Sequence, residues 1–202
     1  MLLDVEDSQL VLVDYQSRLM PSIHEGDLVV RNAMRLARIA RRLEVPVWGT
    51  EENPEGLGEN PPVLKALCRK TLAKMSFSAV ADGLGDLLRP PARLHGGNAR
   101  SLPKHLQKPS QPPLEQPNAI VIAGCEAHVC LMQTSLDLLD EEFDVWVVTD
   151  ACSSRSERNR DAAFDRLASA GAELVTTEMV AFEWLRSADH EAFRDVLAII
   201  KD

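Results

Sequence analysis

Nowhere does the chain carry an uninterrupted run of about 18 apolar residues, the length that suggests a membrane-spanning helix. The amino terminus, MLLDVEDSQLVLVDYQ, has neither a basic stretch nor a clean apolar segment leading to small residues, so no secretory leader is expected. Positive charge is in deficit: 31 Asp and Glu against 22 Lys and Arg leave a formal net charge of −9. That balance argues against broad capture of nucleic acid or of an anionic membrane, both of which need a basic face. Cys68, Cys125, Cys130 and Cys152 are spaced like neither a zinc site nor a thioredoxin-like pair. The histidines, His24, His95, His105, His128 and His190, are scattered, with no close pair to suggest a metal site. What remains is a soluble protein of a reducing, cytoplasmic setting, without disulfides, whose partner is a small molecule.

The 202 residues, 45% of them hydrophobic, fit one ordinary domain spanning 1–202. At this size about 70% of the unfolded surface is buried on folding, so the core needs no covalent staple. Short apolar runs of β type alternate with longer segments of helical period, the pattern of an α/β fold with a parallel sheet covered by helices on both faces. The strand candidates are Gln9 to Val13, Val45 to Gly49, Ala119 to Ala123, Val145 to Val148 and Glu173 to Val175. None alternates as a hairpin strand would, which predicts burial on both faces. Helices are expected from Asp27 to Leu43 with Asp27 as N-cap, Val129 to Glu141, Glu157 to Ala170 ending at Gly171, and Glu191 to Ile200. Arg31, Arg35, Arg38 and Arg42 share one helical face, read as a solvated or subunit-facing stripe.

Between about Arg89 and Asn118 lie seven of the twelve prolines, among Gly, Ser, Gln and Asn. Such a segment forms neither core helix nor core strand and reads as a mobile surface insertion, the alternative being an ordered lid or subunit contact. It follows the Lys74 segment and returns to the strand leading to Cys130, so both its ends are expected near the cleft.

Chemistry concentrates where buried strands give way to loops, the rim at which open α/β sheets bind ligands. Asp14 ends the first strand in LVLVDYQ; Lys74 opens KMSFS; Cys130 follows the turn GCEAHVC. Taken singly, each has an ordinary reading: a loop cap, a solvated charge, a small core residue. At the start of a helix, unpaired amides and the dipole would favour the Cys130 thiolate.

In order, these three motifs resemble the isochorismatase-like cysteine hydrolase family. TEENPEGLGENPPVL, DACSSRSERNRDAAFDRLASAGAELVTTE and the terminal FEWL extend the likeness to the branch called isochorismatase domain-containing proteins. The resemblance implies a three-layer α/β/α domain with a mainly parallel Rossmann-like sheet and a catalytic triad of Asp14, Lys74 and Cys130. It further implies a cis peptide between Cys125 and Glu126 that aims the amides of Glu126 and Cys130 at an oxyanion. Gln16, Phe77 and His128 are candidate substrate contacts, and Cys125 a packing residue of the turn. Nicotinamidases of the family carry metal-binding histidines after the second strand; VWGTEENPEGLG has none, so no catalytic metal or other cofactor is expected.

The resulting expectation is a metal-independent hydrolase of a small C–N or C–O bonded substrate, working through a thioester-type intermediate. The alternative is a catalytically idle relative that serves as a binding or oligomeric interaction protein. Some relatives in this branch carry a ribonuclease label, but the net charge and the lack of paired histidines speak against that chemistry. A homo-oligomer, dimer or larger, is expected, with Phe182, Trp184, Leu185 and Phe193 either at a subunit contact or closing the core.

Overall fold

β1 (Ser8–Val13) and β4 (Ala119–Gly124) are buried at every residue, as strands with helices on both faces must be. They are the central pair of a six-stranded parallel sheet in a computed structural model that describes residues 2–90 and 117–202. The remaining strands are β2 (Val47–Glu52), β3 (Lys70–Lys74), β5 (Asp144–Val148) and β6 (Glu173–Val175), in the order β3-β2-β1-β4-β5-β6. The order reverses between β1 and β4, and at such a switch point the loops leaving two adjacent strands diverge and leave a crevice.

Eight helices complete the described fold: α1 (Gly26–Arg42), α2 (Pro54–Leu57), α3 (Pro62–Leu67), α4 (Leu84–Leu88), α5 (Met132–Asp140), α6 (Glu157–Ala170), α7 (Thr177–Leu185) and α8 (Phe193–Lys201). α1 buries Val29, Ala33, Leu36, Ala37, Ile39 and Ala40, a stripe at helical spacing. Each large member contributes about 1.5–3 kcal/mol relative to exposure. On its opposite face Arg38 and Arg42 pair with Asp202 and Asp195 at 2.7 Å each, so two of the four stripe arginines fasten the carboxy-terminal segment.

Several boundaries differ from the sequence reading. β2 runs to Glu52 because Thr50, Glu51 and Glu52, polar in sequence, are buried in the sheet's carboxyl edge. β3 was not expected at all: KTLAK is an edge strand, mostly half-buried or exposed, and has no apolar run. α1 is preceded by Glu25 in the left-handed region, with Asp27 inside the first turn instead of capping it. Cys130 lies in a π-helical turn, Ala127–Leu131, that precedes α5, not in the first turn of a regular helix. Trp184 and Leu185 are buried in the core, Phe193 packs against it, and Phe182 is exposed.

The proline-rich segment lies largely outside the described residues. Its ends do not meet the expectation: Gln9, near the start of β1, donates from Nε2 to the carbonyls of Leu88 (3.0 Å) and Pro117 (3.2 Å). Both ends therefore sit at the amino end of the parallel sheet, opposite the cleft.

Candidate functional site

Asp14, Glu52 and Lys74 stand at or just beyond the carboxyl ends of three neighbouring strands. Parallel pairing of Val13 with Thr50 and of Glu52 with Lys74 brings those ends level. Asp14 adopts φ 55°, a left-handed conformation that Asp tolerates better than most residues, and is fully buried. The Thr50 hydroxyl donates to its Oδ1 at 2.6 Å, and the Lys74 ammonium meets Oδ2 at 2.9 Å.

Lys74 is equally buried. Its Nζ also lies 2.7 Å from Glu52 Oε2 and donates to the carbonyls of Ser76 and Phe77, both at 3.2 Å. Burial works against the ammonium, but Asp14 and Glu52 prevail and leave its pKa above the usual lysine value.

Cys130 arrives from the other side of the switch point. Gly124 ends β4 against Val13, the Cys125 amide donates to the Val13 carbonyl at 3.0 Å, and the Cys125–Glu126 peptide is cis. The Glu126 carbonyl accepts from the amides of Val129 and Leu131, while its carboxylate accepts from the Arg155 amide and Nε at 2.9 and 3.0 Å. Through this turn the Cys130 sulfur comes within 4.8 Å of carboxylate oxygens of both Asp14 and Glu52.

The thiolate expectation is reversed in this resting arrangement. Burial first, then the Asp14 charge, push the Cys130 pKa well up, and Lys74 only partly opposes them. The helix-start argument omitted desolvation and a carboxylate at contact range, and these outweigh amides and dipole. Cys130 is a thiol lying beside a carboxylate.

Asp14, Glu52 and Cys130 together offer three atoms of metal-ligating type. The space between the two carboxylates is taken by the Lys74 ammonium, which already supplies the cationic charge there.

The other sequence candidates are spread around this centre. Gln16 is fully buried and its amide is spent on backbone: Oε1 accepts from Glu52 N at 2.8 Å, and Nε2 donates to the carbonyls of Glu52 and Gly58 at 2.9 and 2.5 Å. Phe77 is exposed beside Lys74, to which its carbonyl is bonded. His128 is half-buried, with Nδ1 2.9 Å from Ser154 Oγ and Nε2 3.3 Å from Asn159 Nδ2. Cys125 is buried in the turn. Sequence reasoning missed Glu52: an acid in TEEN reads as a solvated charge, and only the pairing of β2 with β3 sets it beside Lys74.

The chain is similar to a set of known proteins that share this architecture. A family model described as the isochorismatase domain matches residues 101–179. Isochorismatase domain-containing protein 2 of Rattus norvegicus is 36% identical over 98% of this chain and 82% of its own length. Among solved structures, the MAR1 ribonuclease of Caenorhabditis elegans has a TM-score of 0.83 at 29% identity, covering 100% of this chain and 93% of that one. The YcaC gene product of Escherichia coli, an octameric hydrolase of unknown specificity, has a TM-score of 0.76 at 27% identity, covering 99% and 87%.

Proposed function

This chain belongs to the isochorismatase domain family, and from that premise we propose that it is a cysteine hydrolase of a small amide- or ester-like substrate, with Asp14, Lys74 and Cys130 as its catalytic groups. One observation carries the reading: residues from three separate strand ends converge so that a thiol, a buried carboxylate and a buried ammonium touch in sequence. A structural ion pair needs no thiol, and a core cysteine needs no ion pair.

In the proposed reaction the Cys130 sulfur attacks the carbonyl carbon while its proton passes to Asp14. The proton then goes to the departing amine or alkoxide, leaving a thioester. Water attacks the thioester, losing a proton to Asp14; the acid departs, and the returning proton restores the thiol. Lys74 supplies the counter-charge that keeps a carboxylate tolerable in this buried place. The amides of Glu126 and Cys130 are the proposed donors to the oxyanion, a reading supported by the cis Cys125–Glu126 peptide that leads into the Cys130 turn. No step calls for a metal, and no described helix is long and apolar enough to cross a membrane. The octameric state of the E. coli relative supports a homo-oligomer here, which light scattering tests directly.

The idle-relative reading draws on the same thiol: Cys130 is 6% exposed and its pKa is raised. Reaction with p-nitrophenyl acetate separates the two. A hydrolase releases one rapid equivalent of nitrophenolate per site and carries an acetyl adduct on Cys130 by peptide mapping, unaffected by a chelator and absent in Cys130→Ala. Adducts distributed over the other cysteines, or hydrolysis undiminished in Cys130→Ala, would overturn the proposal.

A further inference from the structure

Two carboxylates share one ammonium at this site, so one negative charge is left over. The two are not equivalent. The side chains of Asp14 and Lys74 are 0% exposed, whereas that of Glu52 is 11% exposed, and Cys130 is 6% exposed. Glu52 is thus the more exposed of the two carboxylates within 4.8 Å of the sulfur. Its Oε2 is tied to Lys74 at 2.7 Å, but Oε1 has no partner among the described residues. An oriented acceptor reached by solvent, within a few ångströms of the Cys130 sulfur, is suited to receive an N–H from a ligand.

Its placement is built. Gln16, buried and facing no solvent, uses both ends of its amide on the Glu52 backbone, and β3 holds the partner ammonium in register. The surrounding charges reinforce the sign. Asp82 Oδ2 accepts from the amides of Met75 and Ser76 in the Lys74 loop. Arg155 is engaged by Glu126, and Arg18 by the carbonyls of Glu55 and Gly56.

We propose that Glu52 is the specificity-determining residue of this site, selecting neutral or cationic substrates that present an N–H donor beside the scissile bond and rejecting carboxylates. Resting on the hydrolase reading above, the proposal narrows the substrate class to primary amides and amino-substituted acyl compounds. Anions are rejected because a second negative charge would face Glu52 in a partly desolvated space, while Arg155 and Arg18 are already engaged elsewhere.

Charged thiol reagents of matched size test this without knowledge of the substrate. Methanethiosulfonates transfer their sulfenyl group to a thiolate, forming a disulfide and releasing methanesulfinate. The set comprises the neutral methyl, cationic trimethylammonioethyl and anionic sulfonatoethyl reagents. The cation-to-anion rate ratio at Cys130, divided by that of free 2-mercaptoethanol, cancels differences in thiolate fraction and reads the field the reagent meets.

The native protein is expected to favour the cation by roughly tenfold or more, as one charge at about 5 Å implies. Glu52→Gln should return the ratio towards that of the free thiol, and Glu51→Gln, altering the adjacent carboxylate that pairs with Lys65, should leave it unchanged. A native ratio equal to that of free thiol overturns the proposal even if Glu52→Gln fails to fold. So does an unaltered ratio in a folded Glu52→Gln protein. Reaction with all three reagents at the free-thiol ratio overturns this inference alone, whereas no reaction at Cys130 with any of them overturns the hydrolase reading as well.

Discussion

Gly124 and Val13 are in closer contact than any residue with a side chain at 124 would permit: a Cβ there would lie 2.3 Å from the Val13 carbonyl oxygen and 2.5 Å from the Val13 Cβ. The last residues of β1 and β4 thus press together at the switch point, immediately before Asp14 on one side and the cis peptide on the other. Gly124→Ala must push these strand ends apart. We expect a loss of about 1–3 kcal/mol, the usual cost of overpacking, measured by urea denaturation. Cys130 should also lose its selective acylation. Unchanged stability would mean that the strand ends separate freely.

Asp14 has two effects on Cys130 that one variant separates. As a negative neighbour it raises the thiol pKa, and in the proposed mechanism it accepts the proton. Asp14→Asn removes both. The charge effect predicts that alkylation by iodoacetamide shifts to lower pH and becomes faster near pH 8, because the thiolate no longer faces an anion. The base effect predicts that steady-state turnover falls by on the order of 10²–10⁴, since water attacking the thioester has no acceptor for its proton. An alkylation profile displaced to higher pH would show that the carboxylate does not face the thiol.

Lys74 tests the ion-pair network as structure. Lys74→Met keeps the length of the chain but leaves two buried carboxylates without their cation, a change that costs about 3–5 kcal/mol when a buried pair is broken. Chemical denaturation should register most of that loss. A change below about 1 kcal/mol, the range of exposed pairs, would indicate that water reaches the network.

Buried thiols also predict the alkaline limit of the fold. Burial pushes Cys68 up to about 11 and Cys125 up to about 12, against about 8.5 for an unfolded cysteine. Above about pH 8.5 the unfolded chain releases protons that the folded chain retains, so stability is full below that pH and falls as pH rises towards these folded values. The thermal midpoint should decline between pH 8 and 10.5, and Cys125→Ala should make the decline shallower. An equal slope in that variant would assign the alkaline loss to other groups.

Where local chemistry dictates structure, the amino-acid sequence was sufficient. Continuous apolar runs such as LVLV and AIVIAG are strands because only a doubly covered sheet buries them. α6 is capped by Ser156, whose side chain accepts from the Asn159 amide, and closes on Gly171 at φ 104°, the residue at which the sequence pattern ends the helix. Asp14 and Cys130 were legible as motifs because each follows a strand or turn that marks a rim, and Lys74 because its motif completes the family likeness. Glu52 was not, because its meaning depends on which strand lies beside β2, and β3 carries too little apolar character to announce itself. Nor was the state of the Cys130 thiol. A propensity or a helix dipole is local, whereas desolvation and the distance to Asp14 arise only when chain segments more than 100 residues apart are packed together. The sequence by itself therefore determined the apolar strands, the longer helices and the reactive motifs near their ends. Tertiary structure decided which charges those residues meet, because electrostatic energy in a buried site depends on separations and solvent access that no single segment sets.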